Sequence, residues 1–408
     1  MRHHVDVEAW AGIPHHPPYC PHPPFFQYDE KSVKILYLVY GKQSGVIRYL
    51  TKALEARGAQ VRIFDARGDL RYRHEKIRLP SLKPFNVLNS IVAISQFGKK
   101  WKANFFKTEY AFLRMSQNAN VYIRKHAGAY DLILQSGALF SATKGTVNVP
   151  YFLYLDNTTT IHEQFLRKRF LKDGSAPSER WKDLERQAYE ASDWIFTMSD
   201  FVKRSLVEDY SIPKRKISVV GAGPNLEVMP EFKDKRYNSQ TIIFVGKDFD
   251  RKGGRVLLKA FQEVRKELPN AKLLIIGPKD VIVGPGIECI GSVDFRQMPE
   301  IYSKGTIFVM PTLQEPFGLS FLEAMAHRLP CVGTEIQAIP EIVEDGETGF
   351  VVPVSDHDEL ARKIILLLND EGLMERMGKK GYEKVRQHYT WDIVATKILS
   401  RLREDVCP

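Results

Sequence analysis

The chain has 408 residues, 44% of them hydrophobic and 26% charged, and a net charge of +10 carried mostly by residues 1–230 (34 Lys/Arg against 22 Asp/Glu) rather than 231–408 (25 against 27). That balance excludes a mainly disordered, collagenous or low-complexity chain, and the length suits two or three domains. No apolar run reaches the roughly 18 residues of a transmembrane helix, and Met1-Arg2-His3-His4 leads into no apolar core, so no secretory signal is expected.

Residues 1–32 form a His- and Pro-rich tail, expected to be an extension without regular structure rather than a metal site. Residues 34–40 (KILYLVY) read as a buried strand that Gly41 ends. Residues 44–57 read as a helix with Val46, Ile47, Leu50 and Leu54 on one face, and 61–64 as a second strand. A β-loop-α-β opening signals a doubly wound parallel sheet. Residues 66–84 are basic and irregular, and over 85–117 apolar and basic groups alternate at helical spacing. Short strands follow at 132–135, 151–154, 194–198 and 217–220, with helices at 160–171, 178–191 and 199–209.

Residues 224–239 are polar, hold Pro224 and Pro230, and read as a linker. The α/β pattern then restarts, with strands at 242–245, 272–276, 306–310 and 331–333 and helices at 253–267, 295–303, 318–327 and 356–388. Thr390 caps a last helix over 391–403. The fold class is therefore α/β: two open domains, 33–224 and 225–390, joined by a hinge near 225–240. Cys20, Cys289, Cys331 and Cys407 stand far apart without CxxC spacing. Neither a disulfide framework nor a zinc site is expected, in keeping with a reducing cytoplasm.

Two segments carry chemistry. In 311–326 (PTLQEPFGLSFLEAMA) a strand runs through a short loop into a helix beginning near Gly318. Gly318 admits a ligand close to the backbone, and the free N–H groups of Leu319 and Ser320, with the helix dipole, suit an anion. Glu315 stands before that helix and Glu323 inside it, so one carboxylate can lie near phosphates and the other near a sugar hydroxyl; a plain capped turn is the other reading. In 245–254 (VGKDFDRKGG) Lys247, Arg251 and Lys252 converge outside the carboxyl end of a parallel strand, where open α/β sheets bind ligands. Three cations there suit a diphosphate leaving group, or form a solvated loop.

Together these segments resemble the retaining family-4 glycosyltransferases of the GT-B fold, most strongly over 241–355. The resemblance implies two Rossmann-like domains facing across a cleft. It implies Glu315 on the donor sugar, Glu323 on the ribose, and Gly318, Leu319 and Ser320 on sugar and phosphate through backbone. The family commonly has an Arg where Lys247 stands, so either Lys247 replaces it or Arg251 takes its role beside Lys252. GAGPN (221–225), EIVEDGETGFVVP (341–353) and YTWDIVATKIL (389–399) also match, the last as a helix crossing back onto the first domain; GSVD (291–294) is where the base would lie. In the first domain, Gly41-Lys42-Gln43-Ser44-Gly45 occupies the glycine-rich loop, with Gly41 and Gly45 apart where many relatives have adjacent glycines. Asp156, ending 151–156, and His162 are candidates to face the transferred sugar, Asp156 alternatively serving as a turn residue or cap.

The implied activity is transfer of a hexose, with retention, from a nucleotide diphosphate sugar to a hydroxyl of a glycan or lipid-linked acceptor. No metal and no cofactor beyond the donor co-substrate is expected, Asp248 and Asp250 lying within the cationic loop. A nucleotide-sugar epimerase and a catalytically silent partner subunit of the same fold are the alternatives. Nucleic-acid binding is not expected. A basic, aromatic helix over 97–114 would either lie on the inner face of an anionic membrane or pack Trp101, Phe105 and Phe106 as a cleft wall.

Overall fold

Buried β-branched and aromatic runs assemble into two six-stranded parallel sheets. The computed structural model describes residues 32–41, 43, 45–71, 81–126, 128–142, 148–168, 178–231, 235–278 and 284–406. The tail at 1–31, Lys42, Ser44 and Cys407 lie outside the described residues, and both sheets belong to one compact unit, Val33–Pro408.

The first sheet has the order β2-β1-β3-β4-β5-β6. Its strands are β1 (Lys34–Val39), β2 (Gln60–Asp65), β3 (Leu132–Ser136), β4 (Tyr151–Leu155), β5 (Trp194–Thr197) and β6 (Ile217–Val219). Its helices are α1 (Val46–Glu55), α2 (Pro84–Phe97), α3 (Glu109–Lys125), α4 (Thr159–Lys168), α5 (Glu179–Ala191) and α6 (Asp200–Glu208). β3 and β4 are buried on both faces, as a sheet covered by helices requires.

The second sheet has the order β12-β11-β10-β7-β8-β9. Its strands are β7 (Thr241–Val245), β8 (Lys272–Ile276), β9 (Ile287–Gly291), β10 (Ile307–Val309), β11 (Cys331–Thr334) and β12 (Gly349–Val352). The helices are α7 (Gly254–Glu267), α8 (Met298–Lys304), α9 (Leu319–Ala326), α10 (Ile339–Ile342), α11 (His357–Leu368), α12 (Glu371–His388) and α13 (Trp391–Val406). α13 packs on α1 of the first sheet: Arg57 pairs with Asp392, and its Nε donates to Thr396 Oγ1 at 2.7 Å.

Three expectations are corrected. The helix over 97–114 does not form: α2 ends at Phe97, Gly98 takes φ +50°, and Thr108 caps a new helix by accepting from Ala111 N. Phe105 is fully buried in the turn between them, with Trp101 and Phe106 packed on the same core. The helix over 356–388 is two helices, because Asp370 caps α12 through Leu373 N. β9 and β12 are additional strands, both at sheet edges. Among the described residues no helix is long and apolar enough to cross a membrane.

Candidate active site

Each strand order reverses once, between β1 and β3 in the first sheet and between β10 and β7 in the second. Loops leaving a parallel sheet at such a point diverge and open a crevice at the carboxyl ends. The two crevices face one another across a cavity of about 400 Å³. Tyr40, Gln43, Ser136, Gly137, Asp156 and Met198 line it from the first sheet. Lys252, Glu315 to Ser320 and Glu323 line it from the second, with Asn225 at the joint.

The loops after β7 and β10 are stapled together: Leu313 N donates to Arg251 O at 2.9 Å, and Arg251 Nη1 to Gln314 O at 2.7 Å. Gly253 takes φ +77° directly against the second loop, where a Cβ would lie 1.8 Å from Pro311 O. The staple sets Lys252 against Glu315 in an ion pair, with Arg251 Nη1 at 3.8 Å from the same carboxylate oxygen. Burial, then the Arg251 charge, pulls the Lys252 ammonium down to about 7, against the opposing pull of Glu323 and Asp248. Glu315 N donates to Gln337 Oε1 at 2.6 Å, which fixes the loop before the helix.

Gly318 caps α9 at φ +110°, and a Cβ there would meet Ile339 at 2.9 Å and Phe321 at 3.0 Å. Leu319 and Ser320 therefore present the first turn of α9 to the cavity. Deeper in that helix, Glu323 accepts from Tyr302 Oη at 2.9 Å. Burial raises its carboxyl to about 7 against the hydrogen bonds from Tyr302 and Asn225. Asp156 lines the same cavity from the opposite wall, and its carboxyl is also raised, by desolvation among the cavity walls. Such an arrangement offers cations and helix N–H groups to an anion, and carboxylates to hydroxyls.

Seven residues singled out in the sequence thus line one cavity: Asp156, Lys252, Glu315, Gly318, Leu319, Ser320 and Glu323. Gly41 and Gly45 stand in the loop between the lining residues Tyr40 and Val46, Gly45 against the Asn225 side chain. Arg251 bears on Glu315 from behind, whereas Lys247 is exposed and does not line the cavity. His162 lies outside the lining too, its Nδ1 3.0 Å from Gln314 Nε2 across the cleft. GSVD ends β9 as a turn, with Ser292 Oγ donating to Gly277 O at 3.0 Å and Asp294 capping the next turn. Sequence reasoning missed Gln43, Ser136, Gln314, Gln337 and Tyr302, which reach the site or its supports from separate elements. Gln43 and Gln314 stand inside segments that the sequence singled out, as does Asn225, closing GAGPN, but their side chains carried no signal of their own.

Two sequence families match the chain: Glycosyltransferase Family 4 over residues 43–228 and Glycosyl transferases group 1 over residues 239–370. A capsular polysaccharide biosynthesis glycosyltransferase of Staphylococcus aureus is 27% identical over 241 residues, 52% of this chain and 61% of that protein. A phosphatidyl-myo-inositol mannosyltransferase of Mycobacterium leprae is 32% identical over 170 residues, 39% of this chain and 45% of that protein. The chain thus spans about half to three-fifths of these relatives' lengths. Among solved structures, sucrose-phosphate synthase from Thermosynechococcus elongatus superposes with a TM-score of 0.67 at 18% identity, over 91% of this chain and 98% of that one. Anabaena HepE, in complex with UDP and glucose, superposes at 0.58 and 14% identity, over 91% and 99%. These likenesses establish the fold.

Proposed function

The chain belongs to the family-4 glycosyltransferases of the GT-B fold, and on that premise we propose that it moves a hexosyl group, with retention, from a nucleoside diphosphate sugar to a hydroxyl of a glycan or lipid-linked acceptor. The observation that carries the reading is the single cavity in which Lys252, Glu315, the first turn of α9 and Glu323 meet Asp156 from the other sheet. The proposed substrate class is supported by what relatives are named for, capsular polysaccharide in one and phosphatidyl-myo-inositol in another, and by a structural neighbour that holds UDP and glucose.

The diphosphate would sit at the start of α9, with Lys252 and Arg251 taking its charge as the bond to the sugar breaks. Those groups serve the role that a divalent cation could fill, so the proposed reaction is metal-independent. Glu315, now paired with Lys252, would be released to the sugar hydroxyls as phosphate takes the ammonium. Glu323 would meet the ribose. The proposed displacement is front-face: the sugar C1–O bond to the diphosphate breaks, the acceptor oxygen bonds to C1 on the same face, and the acceptor proton passes to the leaving phosphate oxygen. Asp156 would orient the acceptor side of the sugar.

Turnover on a panel of nucleoside diphosphate hexoses, with the product anomer read by NMR, tests this. Lys252→Ala and Glu315→Ala should each cut kcat by about a hundredfold or more, as loss of charge stabilisation at a transition state does. Wild-type turnover in both variants, or an inverted anomer, would overturn the reading.

A further inference from the structure

Helix α2 is built inside out. Its inward side carries Asn86 and Asn89, both with no exposed surface, beside Ala93 and Phe97. Asn86 accepts from Arg71 N at 2.8 Å and donates to Asp69 O at 3.0 Å and Ser81 Oγ at 2.7 Å. Asn89 donates to Phe105 O at 2.8 Å and accepts from Thr108 Oγ1. Polar side chains thus tie the helix to its neighbours, where a surface helix ordinarily uses its apolar stripe. The apolar stripe points outward instead: Val87, Leu88, Ile91 and Ile94 are exposed, Ile91 at 59%, and Leu82 just before the helix at 84%.

The stripe is framed by net positive charge, Asp69 standing between Lys83 and Arg71 at its start. Residues 81–108 contain five lysines and no Asp or Glu. Lys83 stands at the N-terminal end, and Lys99, Lys100 and Lys102 are exposed just past the C-terminal end. We propose that the outer face of α2, with these flanking lysines, docks the protein on an anionic lipid bilayer. Apolar side chains enter the interface while lysines meet the headgroups, the pairing that holds interfacial helices. A second copy of the chain fits less well. With lysines at both ends, α2 against α2 sets like charges together in either direction. α2 is joined to the cleft side of the first sheet by the turn holding Phe106, whose ring lies under the Arg67 guanidinium beside Gly41. Docking would therefore bring the acceptor side of the cleft to the membrane. The surface lies apart from the cavity, and binding is read without turnover, so its failure would leave the donor-site reading standing.

The test is flotation of the full chain, at low salt, with vesicles of phosphatidylglycerol mixed equally with phosphatidylcholine and with phosphatidylcholine alone. Wild type is expected to float with the anionic vesicles and not with the neutral ones. Ile91→Glu with Ile94→Glu should weaken this at least tenfold through lost apolar burial. Lys99→Glu, Lys100→Glu and Lys102→Glu together should weaken it about a hundredfold through charge. Both sets alter exposed side chains, and an unchanged unfolding temperature shows that each variant is folded. Wild type left at the bottom of the gradient, undiminished binding by both folded variants, or a wild-type dimer that Ile91→Glu splits would each overturn the proposal.

Discussion

Glu323 shows how one residue's surroundings set its chemistry. It sits one and a half turns into α9, half-buried at the cavity, with Tyr302 and Asn225 as hydrogen-bond partners, and desolvation there pushes its carboxyl up to about 7. An unfolded Glu titrates near 4.5. Between those values the native state holds a proton that the unfolded state has lost, so this group's contribution to stability falls as pH rises from about 4.5 to 7 and is constant above. Glu323→Gln removes the titration and keeps an acceptor for Tyr302. Relative to wild type it should gain up to ~3 kcal/mol between pH 4.5 and pH 8, read by denaturant unfolding at both values. A difference independent of pH would contradict the raised carboxyl. Glu315, Glu323 and Lys252 were readable in the sequence because each lies on a continuous strand-loop-helix segment. Gln314, Gln337 and Tyr302 were not: their contacts are made by packing between separate segments, which leaves no local pattern.

At the scale of elements, hydrophobic spacing located every strand that is buried on both faces. It missed β9 and β12, a half-exposed edge strand and a four-residue one, where alternation is short or weak. It also merged helices. The apolar spacing runs on through Asn369 and Asp370 because α11 and α12 pack into the same core, so periodicity does not register the turn. The capping carboxylate does: Asp370 Oδ1 accepts from Leu373 N at 2.7 Å. Asp370→Ala should cost about 1 kcal/mol in chemical unfolding, and Asp370→Asn much less, since Asn also caps. No loss in the alanine variant would mean that core packing alone sets the break.

The whole molecule is held closed by contacts between its two sheets. Glu341, from α10, accepts from Asp200 N at 2.8 Å and Phe201 N at 2.7 Å, placing a carboxylate on the N-terminus of α6. The Glu341 carbonyl is itself held by Lys384 Nζ at 2.8 Å and Tyr389 Oη at 3.2 Å. His162 and Gln314 meet across the cleft, and Trp391 Nε1 donates to Pro224 O at 2.9 Å beside the joint. Losing charge-assisted bonds of this kind shifts an equilibrium by about tenfold. Glu341→Ala should therefore increase the radius of gyration in small-angle scattering and raise KM for both substrates. An unchanged radius with unchanged KM would show that the latch does not govern closure. The two-domain plan was visible in the sequence from the restart of the α/β pattern. The latch was not, since Glu341 and Asp200 lie in different domains and only the closed arrangement joins them.

The proposed nucleoside diphosphate site, where Lys252 meets the start of α9, is tested by calorimetric titration of UDP, GDP and ADP into wild type and Lys252→Ala. One nucleotide should bind the wild type selectively, and the variant should bind it at least tenfold more weakly, as loss of a phosphate-binding cation implies. No binding of any of the three to folded wild type, or equal affinity in the variant, would contradict it.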